Sequence, residues 1–195
     1  MIDQFGRQIT YLRISVIDKC NLRCTYCMPK GFVSRQRMDE LLTNDEIVTL
    51  AGIFVSLGIR KIRLTGGEPL LRPQLVRVIE QLTALPGVDQ LALSTNGVLL
   101  KRQALALKRA GLHRVNVSLD TLKPERFTAI TGMDCWQEVV DGILRLGQLQ
   151  GDDSSIGQGH SHIRLEFESL QRRRHADGIF RVRSCQRHRL WPCRG

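Results

Sequence analysis

The sequence predicts an α/β protein with a partial (β/α) barrel that is incomplete at its C-terminus. Between residues 11 and 119, short runs rich in β-branched residues alternate with longer helical patterns, as in repeated βα units around a parallel sheet. Each predicted strand returns after one helix, and right-handed crossovers of this kind curl a sheet toward a barrel. The residue types that carry chemistry fall at the carboxyl ends of the predicted strands, which is typical of barrel enzymes.

Four strands are expected, at 11–17, 60–66, 88–95 and 113–119. The first helix is expected over 43–58, where Thr43 or Asn44 can cap its N-terminus and Gly58 can end it. An alternating segment at 162–169 is a candidate for a fifth strand.

Three more helices follow the later strands. One starts near Pro73 and stops at Pro86-Gly87. The next is closed by Gly111, and the last is expected over 135–149.

Composition divides the chain into a predicted barrel of four βα units, residues 1–147, and an atypical Arg/His-rich tail, residues 148–195. The final 45 residues contain nine Arg, no Lys and four of the five His, although six Lys occur earlier. We hypothesise that this tail is an out-of-frame or alternatively joined translation, and that it is disordered. A functional basic tail that binds RNA or phosphate is the alternative.

Charge and hydropathy exclude some function classes. No stretch approaches the roughly 20 apolar residues that span a bilayer, and no secretory signal is recognisable, so no membrane partner is expected. The formal net charge is +10, but the basic residues of the first 150 positions are scattered among acids, which argues against nucleic acid as a partner. Because no secretory signal is recognisable, the six cysteines are expected to lie in a reducing compartment, as metal ligands or free thiols.

Three of these cysteines, Cys20, Cys24 and Cys27, lie in the loop after the first strand with the spacing C-x3-C-x2-C. They can bind three irons of a [4Fe–4S] cubane and leave the fourth iron open to a small molecule. The alternative is a structural zinc site, which needs four ligands, and no His or Cys near this loop offers a matching fourth.

Polar residues also follow the other strands. Gly66-Gly67-Glu68-Pro69 follows the second strand and forms either a ligand-binding backbone or a plain tight turn. Ser94 and Asn96 lie at the carboxyl end of the third strand, and Ser118 and Asp120 lie at that of the fourth. Glu68, Asn96 and Asp120 fit roles in shaping the site and roles in turns or caps equally well.

Two arginines, Arg13 and Arg63, lie inside the first and second strands. If their apolar neighbours face the helices, alternation sends both side chains into the barrel, where a buried anion would satisfy their charges. The alternative is a solvated strand face.

At the level of motifs, ISVIDKCNLRCTYCMP resembles the cluster loop of radical S-adenosylmethionine (SAM) enzymes, including an aromatic residue before the third cysteine. The resemblance narrows to the GTP 3′,8-cyclase family of molybdenum cofactor biosynthesis over about residues 4–146. The motifs that carry it are FGRQITYLRISVIDKCNLRCTYCMP, KIRLTGGEPLLR, LSTNGVLL, AGLHRVNVSLDTL and FTAITGMD.

This resemblance implies a role for each matching residue. A [4Fe–4S] cluster is assigned to Cys20, Cys24 and Cys27. The SAM contacts are assigned to Tyr26, Gly67 and Ser118. The GTP contacts are assigned to Arg13, Arg63 and Ser94, the last at a position where the family usually has threonine.

The implied activity is that of a radical SAM lyase, which converts GTP to (8S)-3′,8-cyclo-7,8-dihydroguanosine 5′-triphosphate in the first step of molybdopterin biosynthesis, with activity impaired if the chain is truncated. The implied partners are a flavodoxin- or ferredoxin-type electron donor, a downstream cyclic pyranopterin phosphate synthase and a second copy in a homodimer. The implied location is the cytoplasm, or the mitochondrial matrix in a eukaryote.

The family also has a second cluster near its C-terminus, and its ligands are not found in this sequence. Cys185 and Cys193 do not match the expected paired spacing. Two alternatives stay open: another radical SAM enzyme, such as a peptide maturase, and a non-catalytic remnant that binds a cluster or a nucleotide.

Overall fold

The computed structural model describes residues 2–27, 40–151 and 164–168, with side chains described in 2–27 and 40–149. The strands are β1 (Tyr11–Ser15), β2 (Lys61–Thr65), β3 (Gln90–Thr95), β4 (Arg114–Ser118) and β5 (Arg164–Glu168). The helices are α1 (Asn44–Ser56), α2 (Leu75–Thr83), α3 (Leu100–Arg109), α4 (Pro124–Thr131) and α5 (Trp136–Gly151), and Pro69–Leu71 forms a 3₁₀ turn.

The five strands form one parallel sheet in the order β1-β2-β3-β4-β5. Sequential order with a helix in each of the first three crossovers confirms the predicted α/β fold with a partial barrel of βα units. Strand β5 forms within the candidate segment 162–169, so the sheet continues past the expected boundary at residue 147, which lies inside α5. The assignment of 148–195 to a separate tail stays a prediction, and most of that segment lies outside the described residues.

Alternation along the strands separates two faces of the sheet. On β2, β3 and β4 the face toward the helices is apolar and fully buried, with exposed fractions of 0% for Ile62, Leu64, Leu91, Leu93, Val115 and Val117. On β1 the corresponding residues, Leu12 and Ile14, are half-buried. The opposite face is polar and includes Arg13, Arg63, Ser94 and Asn116, which follows from the period of two along each strand. Both arginines therefore lie on the face expected for them, but Arg13 is exposed there, as on a solvated strand face, whereas Arg63 is half-buried.

The start of α1 follows the sequence prediction. Thr43 is its N-cap: the Thr43 hydroxyl oxygen accepts from the Glu46 N–H at 3.2 Å, and the Glu46 carboxylate accepts from the Thr43 N–H at 2.7 Å. This reciprocal pair is a capping box and satisfies two N–H groups that the first turn leaves without helical partners.

Two details differ from the prediction. Helix α2 begins at Leu75, two residues after Pro73, because its N-cap Gln74 has a left-handed backbone with φ of 58° that is not part of a right-handed helix. Helix α4 was not expected; Pro124 in its first turn and Gly132 at its C-cap, with φ of 70°, are its sequence signals. Within the described residues, no helix is long and apolar enough to cross a membrane.

Candidate functional site

The cysteine loop follows β1 and is held by backbone contacts to α4. The Arg23 N–H donates to the Thr131 carbonyl at 2.8 Å, and the Thr25 N–H donates to the Ile130 carbonyl at 3.0 Å. Cys20 and Cys24 are half-buried, whereas Cys27 is exposed. The loop therefore presents one sulfur to solvent and keeps two close to the protein.

On its other side, the loop packs against the glycine turn after β2. The Gly67 N–H donates to the Ile17 carbonyl at 2.7 Å, and the Glu68 N–H donates to the Lys19 carbonyl at 2.8 Å. A Cβ atom on Gly67 would lie 2.2 Å from the Lys19 carbonyl oxygen, a distance that real Cβ atoms do not show. Packing against the cysteine loop therefore requires glycine at position 67, and its N–H is already engaged.

The carboxylate of Glu68 is fully buried and joins this turn to the end of β3. It accepts from the Leu70 N–H at 3.0 Å, the Thr95 hydroxyl at 2.7 Å and the Asn96 N–H at 2.7 Å. Burial raises the pKa of Glu68, and these three donors oppose that rise. Glu68 therefore caps the 3₁₀ turn Pro69–Leu71 and links the turn after β2 to the end of β3.

Asn96 extends this cross-link to the cysteine loop. Its amide nitrogen donates to the Asn21 Oδ1 at 2.8 Å and lies 3.7 Å from the Cys20 Sγ, in the geometry of a hydrogen bond to sulfur. The Leu22 N–H also donates to the Cys20 Sγ, at 3.4 Å. Burial raises the pKa of the Cys20 thiol, and these donors oppose the rise.

Tyr26 connects the same loop to the end of β4. Its hydroxyl donates to the Asp120 Oδ2 at 2.7 Å, while the side chain stays 53% exposed. Partial burial raises the pKa of Tyr26, and the hydrogen bond to Asp120 raises it further. Ser118 ends β4 and is half-buried, two residues before Asp120.

The polar face of the sheet brings together the residues expected to bind GTP. Arg13 and Arg63 are register partners on β1 and β2, with Arg13 exposed and Arg63 half-buried. The Arg63 guanidinium donates to the Ser94 hydroxyl at 3.2 Å and lies 6.0 Å from the centroid of the Tyr11 ring. Arg13, Arg63 and Ser94 therefore form one polar patch across β1, β2 and β3.

Sequence reasoning missed two residues on this face. Asn116 is only 2% exposed and is the register partner of Ser94, and Arg114 pairs in register with Ala92. The signal was present, because polar residues 114, 116 and 118 alternate with buried Val115 and Val117 in HRVNVSL.

The donor set at the loop fits an iron–sulfur cluster: it has three cysteine thiols, with peptide and amide N–H groups around one of them. Among the described residues, no three His, Cys, Asp or Glu side chains are grouped so as to hold one metal ion. A cubane spreads its thiolates over different irons, so its ligands need not converge on one point. Peptide and amide N–H groups around Cys20 are the donors that a cluster-bound sulfur accepts from. Cys185 and Cys193 lie outside the described residues.

Comparison with known proteins identifies relatives for most of the chain. The model of the radical SAM superfamily matches residues 14–160. GTP 3′,8-cyclase of Streptomyces coelicolor is 54% identical over 144 residues, which are 73% of this chain and 42% of that protein. Molybdenum cofactor biosynthesis protein 1 of Drosophila melanogaster is 52% identical over 143 residues, 73% of this chain and 25% of that protein. The chain thus spans less than half the length of these relatives.

Solved structures share the fold at low identity. SuiB of Streptococcus suis bound to the precursor peptide SuiA matches with a TM-score of 0.61 and 16% identity, over 80% of this chain and 32% of that chain. HydG, a maturase of the [FeFe]-hydrogenase, matches with a TM-score of 0.60 and 15% identity, over 80% of this chain and 34% of that chain.

Proposed function

The chain belongs to the radical S-adenosylmethionine superfamily, and on that premise we propose that it carries the cluster-binding and GTP-binding part of a GTP 3′,8-cyclase. Membership implies a [4Fe–4S] cluster and SAM. The observation that carries the finer proposal is the 54% identity to the Streptomyces coelicolor cyclase over 144 residues. The reaction is the conversion of GTP to (8S)-3′,8-cyclo-7,8-dihydroguanosine 5′-triphosphate.

Cys20, Cys24 and Cys27 would hold the cluster through their thiolates. A bound cluster and SAM supply one-electron radical chemistry, and the protein supplies binding, orientation and exclusion of water. The half-burial of Cys20 and Cys24 and the contacts of the loop to α4 and to the glycine turn keep the loop in place. Such fixed backbone anchors support precise placement of a bound group.

Gly67, Ser118 and Tyr26 would contact SAM beside the cluster. The Gly67 N–H is engaged by the cysteine loop, so Gly67 would use its carbonyl oxygen, which can accept from the amino group of the methionine moiety. The Tyr26 hydroxyl is engaged by Asp120, so Tyr26 would offer its ring as a packing surface.

Arg13, Arg63 and Ser94 would bind GTP. Two guanidinium groups at register positions on adjacent strands repel each other, and a triphosphate across both would offset that repulsion while accepting paired hydrogen bonds. The Ser94 oxygen accepts from Arg63, so its hydroxyl hydrogen can donate to the nucleotide. The patch thus offers both charge and a neutral donor.

The partners, the second cluster and the location are part of the same proposal. A flavodoxin- or ferredoxin-type donor would supply the electron, and a cyclic pyranopterin phosphate synthase would take the product. A second copy in a homodimer is proposed as well. A second cluster belongs to the proposed family, although its ligands are not identified in this chain. A reducing compartment, the cytoplasm or the mitochondrial matrix, suits three reduced thiols.

The decisive experiment is anaerobic reconstitution of the full chain with iron and sulfide, followed by reduction and incubation with SAM and GTP. We expect 5′-deoxyadenosine and a cyclised nucleotide in equal amounts, measured by liquid chromatography and mass spectrometry. Formation of 5′-deoxyadenosine without consumption of GTP would instead favour another radical SAM reaction, such as peptide maturation. A chain that loads the cluster but forms neither product would favour a non-catalytic remnant.

A binding measurement tests the arginines without relying on turnover. Arg63→Ala should weaken equilibrium GTP binding by about 10- to 100-fold, since hydrogen bonds to charged groups contribute about 1.5–3 kcal/mol. Arg102→Ala is the matched control, because Arg102 is exposed on α3, away from the polar patch. Equal affinities of the two variants would contradict the assignment of Arg63 to GTP.

A further inference from the structure

Asn96 occupies a position between two turns and a cluster ligand. It directly follows β3, and its backbone N–H donates to the buried Glu68 carboxylate at 2.7 Å. Its side-chain oxygen accepts from the Val98 N–H at 3.1 Å. These two contacts fix both the backbone of Asn96 and the orientation of its amide.

With the oxygen turned toward Val98, the amide nitrogen turns toward the cysteine loop. It donates to the Asn21 Oδ1 at 2.8 Å and approaches the Cys20 Sγ at 3.7 Å. Asn21 and Cys20 are adjacent, so one amide group reaches both a ligand and its neighbour. The amide is thus oriented by Glu68 and Val98, which follow β2 and β3, and by Asn21 in the cysteine loop itself.

A donor at this position has a defined electrostatic consequence. A reduced cluster carries one more negative charge than an oxidised cluster, and N–H donors to its sulfurs stabilise that charge. Removing such a donor therefore shifts the equilibrium toward the oxidised cluster. The effect is strongest where the surroundings are partly shielded from water, as at half-buried Cys20.

We propose that Asn96 is a positioning residue that holds an amide N–H against the Cys20 sulfur and thereby raises the reduction potential of the cluster bound there. The proposal rests on the cluster binding of the proposed function but not on the identity of the substrate. Glu68 supports this role of Asn96, because its buried carboxylate accepts from the Asn96 backbone N–H and fixes the position of that residue.

The test variant is Asn96→Asp in the full, reconstituted chain. Aspartate keeps the backbone N–H for Glu68 and an oxygen for Val98, but it replaces the amide donor with an anionic oxygen. We expect the reduction equilibrium to shift at least about tenfold toward the oxidised cluster, which is about 59 mV for a one-electron couple, in a dye-mediated titration followed by electron paramagnetic resonance.

Gln90→Glu is the matched control. It makes the same change in charge at the first residue of β3, roughly 20 Å along the same strand at about 3.3 Å per residue. Its potential should match that of the unchanged chain. Equal potentials in Asn96→Asp and Gln90→Glu would overturn the proposal.

If Asn96→Asp folds but does not retain a cluster, cluster retention by Asn96→Gln becomes the test of the proposal. Glutamine restores an amide donor, so this variant should hold the cluster. Loss of the cluster in both variants would show that position 96 serves the turn alone and would overturn the proposal.

The proposal about Asn96 and the proposed function fail in distinguishable ways. An unchanged chain that binds no iron or sulfide refutes both. A chain that loads the cluster but leaves GTP unchanged refutes the substrate only, and the proposal is then judged by the potential.

Discussion

The glycine turn after β2 gives the sharpest prediction about how the cysteine loop is held. Alanine at position 67 would place its Cβ 2.2 Å from the Lys19 carbonyl oxygen and 2.4 Å from that of Asp18. Both are backbone atoms, so the clash cannot be relieved by rotating a side chain. Gly67→Ala must therefore push the cysteine loop away from β2.

The expected loss in the free energy of unfolding follows from the contacts that break when the cysteine loop moves away from the glycine turn. Two backbone hydrogen bonds, from Gly67 to Ile17 and from Glu68 to Lys19, contribute about 1 kcal/mol each. Overpacking costs about 1–3 kcal/mol more, and the lower entropy of alanine in the unfolded chain returns about 0.4–1 kcal/mol. We expect the free energy of unfolding to fall by about 2–5 kcal/mol, a large share of the typical 5–15 kcal/mol.

The assay is urea unfolding of the apoprotein with a parallel measurement of iron bound after reconstitution. Gly147→Ala is the matched control, because Gly147 lies in α5 and a Cβ there meets nothing within 4 Å. That control should stabilise the chain by about 0.5–1 kcal/mol, as expected for alanine in a helix. A Gly67→Ala chain with full stability and full iron content would refute the reasoning.

Three further outcomes are expected. Thr43→Ala, which breaks the capping box, should lower the free energy of unfolding by about 0.5–2 kcal/mol in the same urea assay, and an unchanged urea midpoint would contradict the role of the cap. Tyr26→Phe removes the hydrogen bond to Asp120 and should speed iron loss to a chelator by about two- to tenfold, the equivalent of one hydrogen bond; an unchanged rate would argue against this tether. His113 accepts from the Leu91 N–H as a neutral ring, and burial lowers its pKa below the ordinary 6.5. Its contribution to stability is therefore present above pH 6.5 and lost as the pH falls through the lowered pKa, and His113→Gln should flatten that decline in urea midpoints measured across this range.

Much of the fold could be predicted because its signals are local. The alternation in KIRLT predicts that Arg63 lies on the face of the sheet away from Ile62 and Leu64, and the structure confirms this because Ile62 and Leu64 are buried and Arg63 is only half-buried. Thr43 was one of two expected N-caps of α1, and the capping box that the structure shows there spans only four residues. Such patterns depend on neighbours in sequence, so a single sequence contains them.

The site geometry depended on contacts that no local pattern encodes. Asn96 reaches Cys20 across 76 positions, and Tyr26 reaches Asp120 across 94. Residue types alone left Glu68 and Asn96 equally suited to turns and to ligand contacts. Only the parallel register of β1, β2 and β3 brings these side chains to one edge of the sheet.

The contacts of the cysteine loop also couple the site to the whole sheet. Four residues each hold the loop: Gly67, Asn96 and Asp120 follow β2, β3 and β4, and Thr131 is the last residue of α4. Loosening any one of these units therefore weakens the loop, because each supplies a different anchor. The converse also holds: a ligand that binds only the folded loop stabilises every unit that anchors it. A bound cluster would thus supply stability as well as chemistry, and variants that weaken a distant anchor should be partly rescued by cluster loading.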